Sequence, residues 1–246
     1  RTAHRTRGRA PLALGSPQCV GNQDEAGLTV VGPSTPLTVT GADPPAGTPP
    51  VASGLSISQF AVDQGPLATV TAPQALGRLA DGRRLVRFRS VDRVTNTESE
   101  QSRTVVLDGT PPQTTLLWPA PGGSGLCAVI TGVQTVRGTL TDRHLLRYRL
   151  EVGAGLAPAG YAVVVGPTGV EPQTSVSGVL GSWDTSQGPQ GWVTARLIGE
   201  DCVVNASTAS TPVYVGQPTV QVLTPAGLGQ PGYVAVATAA AADGGL

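Results

Sequence analysis

Residues 82–96, GRRLVRFRSVDRVTN, lie over residues 191–205, GWVTARLIGEDCVVN, without a gap. Gly82 falls on Gly191, Arg87 on Arg196, Phe88 on Leu197, Asp92 on Asp201 and Asn96 on Asn205. The strand that follows, Thr104 to Leu107, answers to Val213 to Val215, and Pro111-Pro112 answers to Pro218. A third feature recurs at about the same spacing: Leu37 to Asp43, Val136 to Asp142 and Val236 to Asp243 each run from a β-like stretch into small residues and stop at an aspartate. A period of about a hundred residues is too long for a solenoid and fits a β-sandwich module in tandem.

The unit of repetition is itself β-patterned. Asp81-Gly82 is a turn dipeptide. After it Val86 and Phe88 fall on one face and Arg87 and Arg89 on the other, the period of a half-buried strand. Asp92 to Asn96 is a second reversal, and Asp108-Gly-Thr-Pro-Pro112 ends the next strand, since proline cannot donate to a ladder. The expected fold is all-β: tandem antiparallel sandwiches, with a basic, loop-rich segment over 1–26, one domain over 27–112, a second over 113–217, and the opening strands of a third over 218–246. Strands are expected at Gly27–Val31, Leu37–Thr40, Leu55–Val62 and Leu67–Thr71. In the second domain they are expected at Ala128–Thr131, Val133–Leu140, Leu145–Glu151 and Val163–Val165, with Leu146, Tyr148 and Leu150 turned inward. Trp183 is expected to seal the end of the core.

The endings of the two repeats resemble the bacterial immunoglobulin-like modules of secreted and surface proteins. The ending of that group runs roughly D-G-x-H-x-V-x-Y-R-S-x-D-x-A-G-N-x-E, then a strand, then D-x-T-P-P; the first repeat answers to it in Asp81-Gly82, Val86, Phe88-Arg89-Ser90, Asp92, Asn96, Glu98 and Asp108 to Pro112. The second is similar to a sister type through Leu145 to Gly155 and Leu180-Gly-Ser-Trp-Asp-Thr185, so the resemblance covers roughly 30–217. It implies an immunoglobulin-like sandwich and says little about activity, because such modules serve as spacers, stalks, filament subunits and enzyme appendages. In both repeats the glycine that usually precedes the turn asparagine is replaced, by Thr95 and Val204, so a reshaped turn is expected.

Charged residues make up 13% of the chain and acids and bases cancel at sixteen each, which gives no electrostatic grip on nucleic acid or anionic membrane. All the basic residues are arginine, methionine is absent, and no apolar run reaches membrane-spanning length. The third repeat is unfinished, so either the sequence continues past Leu246 or these strands complete a fold in another subunit. Arg1 to Arg9 reads as a solvated tail, with docking on an acidic partner as the alternative.

Catalytic constellations are poorly supplied: the histidines are His4, in the basic tail, and His144, and neither stands beside a nucleophile motif. No cofactor is expected. Asp92, Asn96 and Glu98, with Asp201 and Asn205 in the second repeat, offer hard oxygens that could hold calcium between modules. The competing and preferred reading is that each caps its own turn. Cys127 at the first strand of the second domain and Cys202 after Asp201 occupy positions that neighbour one another in a sandwich, so a Cys127–Cys202 bridge is expected, with Cys19 left over and export to an oxidising compartment as the consequence. Asn205-Ala-Ser207 matches a glycosylation sequon.

These readings converge on a non-catalytic extracellular structural or adhesive protein of a bacterial cell surface, its partners copies of itself, other surface proteins or cell-surface glycans, and its assembled form a filament. The alternative is a set of spacer or targeting modules in a larger secreted enzyme.

Overall fold

The alternation of apolar and polar side chains becomes strand after strand in the structure, a computed structural model that describes residues 11–21, 25, 27–40, 54–77, 79–93, 95, 97–118 and 128–216. The fold is all-β. No helix among the described residues is long and apolar enough to cross a membrane. Contacts divide the chain into two units. One runs to Pro111 and includes the turn Glu200–Asn205; the other takes Pro112–Gly199 and the chain from Ala206.

In the first unit the strands are β1 (Leu12–Leu14), β2 (Gln18–Val20), β3 (Thr29–Val31), β4 (Leu37–Val39), β5 (Leu55–Val62), β6 (Ala68–Val70), β7 (Gly82–Asp92) and β8 (Gln101–Leu107). Six form one sheet in the order β2-β3-β8-β7-β5-β6, and β1 pairs with β4 in a second. The two sheets share a core: Leu12 and Leu37 come from the small sheet, and Val31, Phe60, Val86, Phe88, Val105 and Leu107 from the large one. Along β7 burial alternates as the sequence predicts, with Val86 and Phe88 inside while Arg87 and Arg89 stay half-buried. The Asp81 carboxylate accepts from Gly109 N at 2.8 Å and from the Thr110 hydroxyl, so the turn before β7 is tied to the chain leaving β8. The segment read as loop up to residue 26 is not all loop: β1 and β2 lie in it, each three residues long and so too short to show a period.

The second unit contains β9 (Gln113–Trp118), β10 (Ala128–Ile130), β11 (Val133–Ala154), β12 (Ala162–Asp184), β13 (Gly191–Asp201) and β14 (Ala206–Val215). Their order is β10-β14-β13-β11-β12, with β9 also on β11. The two strands expected at Val133–Leu140 and Leu145–Glu151 are one strand, β11, which pairs with β9 over Arg137–Thr141 and with β12 along its length. Register shifts between Thr141 and Leu145 and between Leu145 and Arg147 break its alternation. That slip corrects the inward set: Leu145 is 1% exposed and Leu146 is 40% exposed, while Tyr148 and Leu150 are buried as expected. Trp183 is fully buried in this core beside Leu140, Leu150 and Leu197.

The sheets are not purely antiparallel. β3 pairs parallel with β8, Val30 opposite Val106, and β10 pairs parallel with β14, Val129 opposite Tyr214. Thus each repeat closes its sheet by laying an early strand beside its last one. The second turn takes the same backbone in both repeats: Thr95 and Val204 adopt positive φ, 68° and 73°, the left-handed region that favours glycine.

Candidate functional site

Of the chemistry-bearing side chains singled out in the sequence, Asp201, Cys202 and Asn205 come together with Cys19 in the first unit, at the turn that joins β13 to β14. Cys202 is bonded to Cys19, with Cα atoms 5.9 Å apart and 183 residues between them in sequence. This replaces the expected Cys127–Cys202 bridge; Cys127 itself lies outside the described residues. The reason is register. Cys19 sits on β2 opposite Val30 of β3, and Val30 packs with Val106 and Val203, so both sulfurs rest against one apolar cluster. Closing a loop of this length stabilises the folded chain by about 5 kcal/mol in the chain-entropy model.

Asp201, the residue before Cys202, is fully buried. Its Oδ1 accepts from Val203 N at 2.9 Å and from Asn205 N at 2.8 Å, and its Oδ2 accepts from Asn205 Nδ2 at 2.8 Å. This is a side chain capping its own turn. Burial pushes its carboxyl above the usual range, and the nearby Asp108 charge adds to that, against the three hydrogen bonds. Asn205 Nδ2 also donates to the Asp108 carbonyl at 3.3 Å, so the amide of the sequon asparagine is committed inside the fold.

The first repeat builds the same reversal. Thr95 N donates to Asp92 O at 3.2 Å, as Val204 N donates to Asp201 O at 3.2 Å. Asp92 is buried, and Glu98 accepts from Ser90 N at 3.1 Å and from Gln101 Nε2 at 2.5 Å. Asn96 lies outside the described residues. Among the described residues, none of Asp92, Glu98 and Asp201 falls within a group of three carboxylate, histidine or cysteine side chains close enough to share one ion. Of the histidines, His4 lies outside the described residues, and His144 is buried, its backbone N–H donating to Asp142 Oδ1 at 2.6 Å.

A second arrangement, on the outward side of β11 and β13 in the other unit, was visible in the sequence only as alternation. Glu151 accepts from Arg149 Nε at 2.6 Å and from Arg196 Nε at 2.7 Å. Arg196 also lies over the Tyr161 ring, 3.4 Å from its centroid. Burial alone would raise the Glu151 carboxyl; the hydrogen bonds and charges of the two arginines outweigh it and hold the group below the usual range. Further along, Trp192 meets Tyr214 edge to face at 5.6 Å. These contacts brace a sheet face and provide no nucleophile or base.

No protein-family model and no curated protein matches the sequence. Among solved structures, the fibronectin(III)-like modules of CbhA from Clostridium thermocellum are 14% identical, with a TM-score of 0.43 over 83% of this chain and 94% of that one. A tetra-tandem repeat from the extending region of a large adhesion protein is 18% identical, with a TM-score of 0.30 over 85% of this chain and 50% of that one. Dimeric latent PorU from Porphyromonas gingivalis is 11% identical, with a TM-score of 0.28 over 83% of this chain and 20% of that one. The chain thus spans half of the adhesion repeat and a fifth of PorU, and likenesses of this degree assign no activity, ligand or partner.

Proposed function

We propose that the chain is a non-catalytic structural or adhesive element acting outside the cell, on a bacterial surface. The observation that supports this most directly is the Cys19–Cys202 bond, because structural disulfides persist in oxidising compartments and are rare in a reducing cytosol. The repeated β design agrees with it: two units of like build suit a stalk or a contact surface. Partners are copies of the same chain, other surface proteins or surface glycans. In the filament form of this reading, copies of the chain join one another in a fibre; residues 218–246, expected from the sequence to begin a third module, lie outside the described residues.

The test is surface labelling of intact cells with an impermeant reagent, together with electron microscopy of native material. Labelled cells carrying stalks or filaments are the expected result. A cytosolic protein with reduced cysteines would overturn the proposal, and a hydrolase domain in the same polypeptide would favour the spacer alternative.

A further inference from the structure

We propose that the Cys19–Cys202 bond is a mechanical clamp: tension along the chain crosses from Cys19 to Cys202 through sulfur and leaves residues 20–201 unstretched. The clamp deepens the structural reading above and rests on it only for its use; the device itself follows from covalent topology. The ring closed by the bond holds every strand from β3 to β13. A pull on the two ends therefore cannot lengthen those strands, however weak their ladders.

The exit from the ring is already taut. Cys202 stands at the head of the turn into β14, and β14 runs from Ala206 to Val215 as extended chain. A strand pulled along its own axis gains almost no length. On the entry side β1 lies outside the ring and pairs with β4 inside it, Leu12 opposite Val39 through Leu14 opposite Leu37. Among the described strands the yielding steps are the peeling of β1 from β4 and the detachment of β14 from β10 and β13, all of it chain outside the ring. Both cysteines are partly buried, packed with Leu28 against Val30, Val106 and Val203, which slows attack by an external thiolate without preventing it.

The experiment is single-molecule pulling on the full chain through handles at Arg1 and Leu246, with the oxidised protein, Cys127→Ser and Cys19→Ser. Oxidised protein and Cys127→Ser should extend only by the chain outside the ring, roughly 200 Å at full stretch. Cys19→Ser should release roughly 600 Å more, the extended length of residues 20–201. Reductant added to oxidised protein already held under force should give the same jump, which covers the case in which Cys19→Ser fails to fold. The clamp is overturned if oxidised protein extends as far as Cys19→Ser. It is equally overturned if removing Cys127, and not Cys19, is what frees the chain. Neither failure bears on where the protein acts, which the labelling of cells decides separately.

Discussion

Thr95 and Val204 hold the same left-handed backbone, φ 68° and 73°, at matching places in the two repeats. Each donates its N–H to the carbonyl of the aspartate three residues earlier, Asp92 and Asp201. A β-branched residue in this region is strained by about 1–2 kcal/mol, and the turn persists because the flanking strands and hydrogen bonds over-determine it. Val204 is 59% exposed, so its side chain contributes little packing in return. Val204→Asn and Thr95→Asn should therefore each stabilise the protein by about 0.5–1 kcal/mol, and the glycine variants by somewhat less because glycine loosens the unfolded chain. Chemical denaturation checks the sign; a lower midpoint in both asparagine variants would show that the strain is not there.

Gly138 lies where β11 passes between its neighbours. A Cβ there would stand 2.7 Å from the Thr115 carbonyl oxygen, 2.8 Å from Leu180 Cδ1 and 2.9 Å from Leu197 Cδ2. The oxygen belongs to the backbone of β9 and cannot swing aside. Gly138→Ala should cost about 2–3 kcal/mol through overpacking, whereas Gly160→Ala, with nothing within 4 Å, should be close to neutral. Equal melting temperatures for the two variants would contradict this packing.

Where the chain alternates without interruption, the residues announce their place, as Val86 and Phe88 do on β7. Leu146 fails the same reasoning because the bulge around Leu145 shifts the face by one residue, and a bulge leaves no mark in hydropathy. The three-residue strands β1 and β2 fall below the length at which a period can be counted. That loss carried over to the disulfide. With β2 hidden, nothing in the spacing of Cys19, Cys127 and Cys202 favoured the most distant pair, whose proximity depends on Val30 and Val106 lying side by side in a parallel ladder. The turn chemistry of Asp201 was legible because it is local, while the Glu151 network needed β11 and β13 to be adjacent strands.

Trp183 is 1% exposed, and its indole Nε1 has no hydrogen-bond partner among the described residues. Trp183→Ala should cost about 3–5 kcal/mol, as large aromatic truncations in a packed core do. Trp183→Phe removes an unsatisfied buried donor, worth about 1–3 kcal/mol, and so offsets much of the cavity it leaves. The phenylalanine variant is expected within about 1–2 kcal/mol of the parent by thermal or denaturant unfolding. A loss as large as that of the alanine variant would mean that Nε1 has a partner after all, a bound water for instance.

Glu151 and Asp201 give opposite pH dependences. The Glu151 carboxyl is depressed in the folded protein, so its stabilising contribution is present above its unfolded value, near 4.3, and is lost as pH falls through the lower folded value. Asp201 is raised, so its contribution is complete below its unfolded value, near 3.9, and is lost as pH rises through the folded one. The whole-protein curve mixes both, but the difference between the parent and Glu151→Gln isolates the first. Arg149 and Arg196 are each about a third exposed and stay solvated when the carboxylate is gone, which limits the loss at pH 7 to about 1–2 kcal/mol. That difference should shrink as pH falls below the unfolded value and through the lower folded one, where the parent glutamate is itself protonated. Melting the two proteins across that range decides the matter: a gap that stays constant with pH would mean the arginines do not act on Glu151 through its charge.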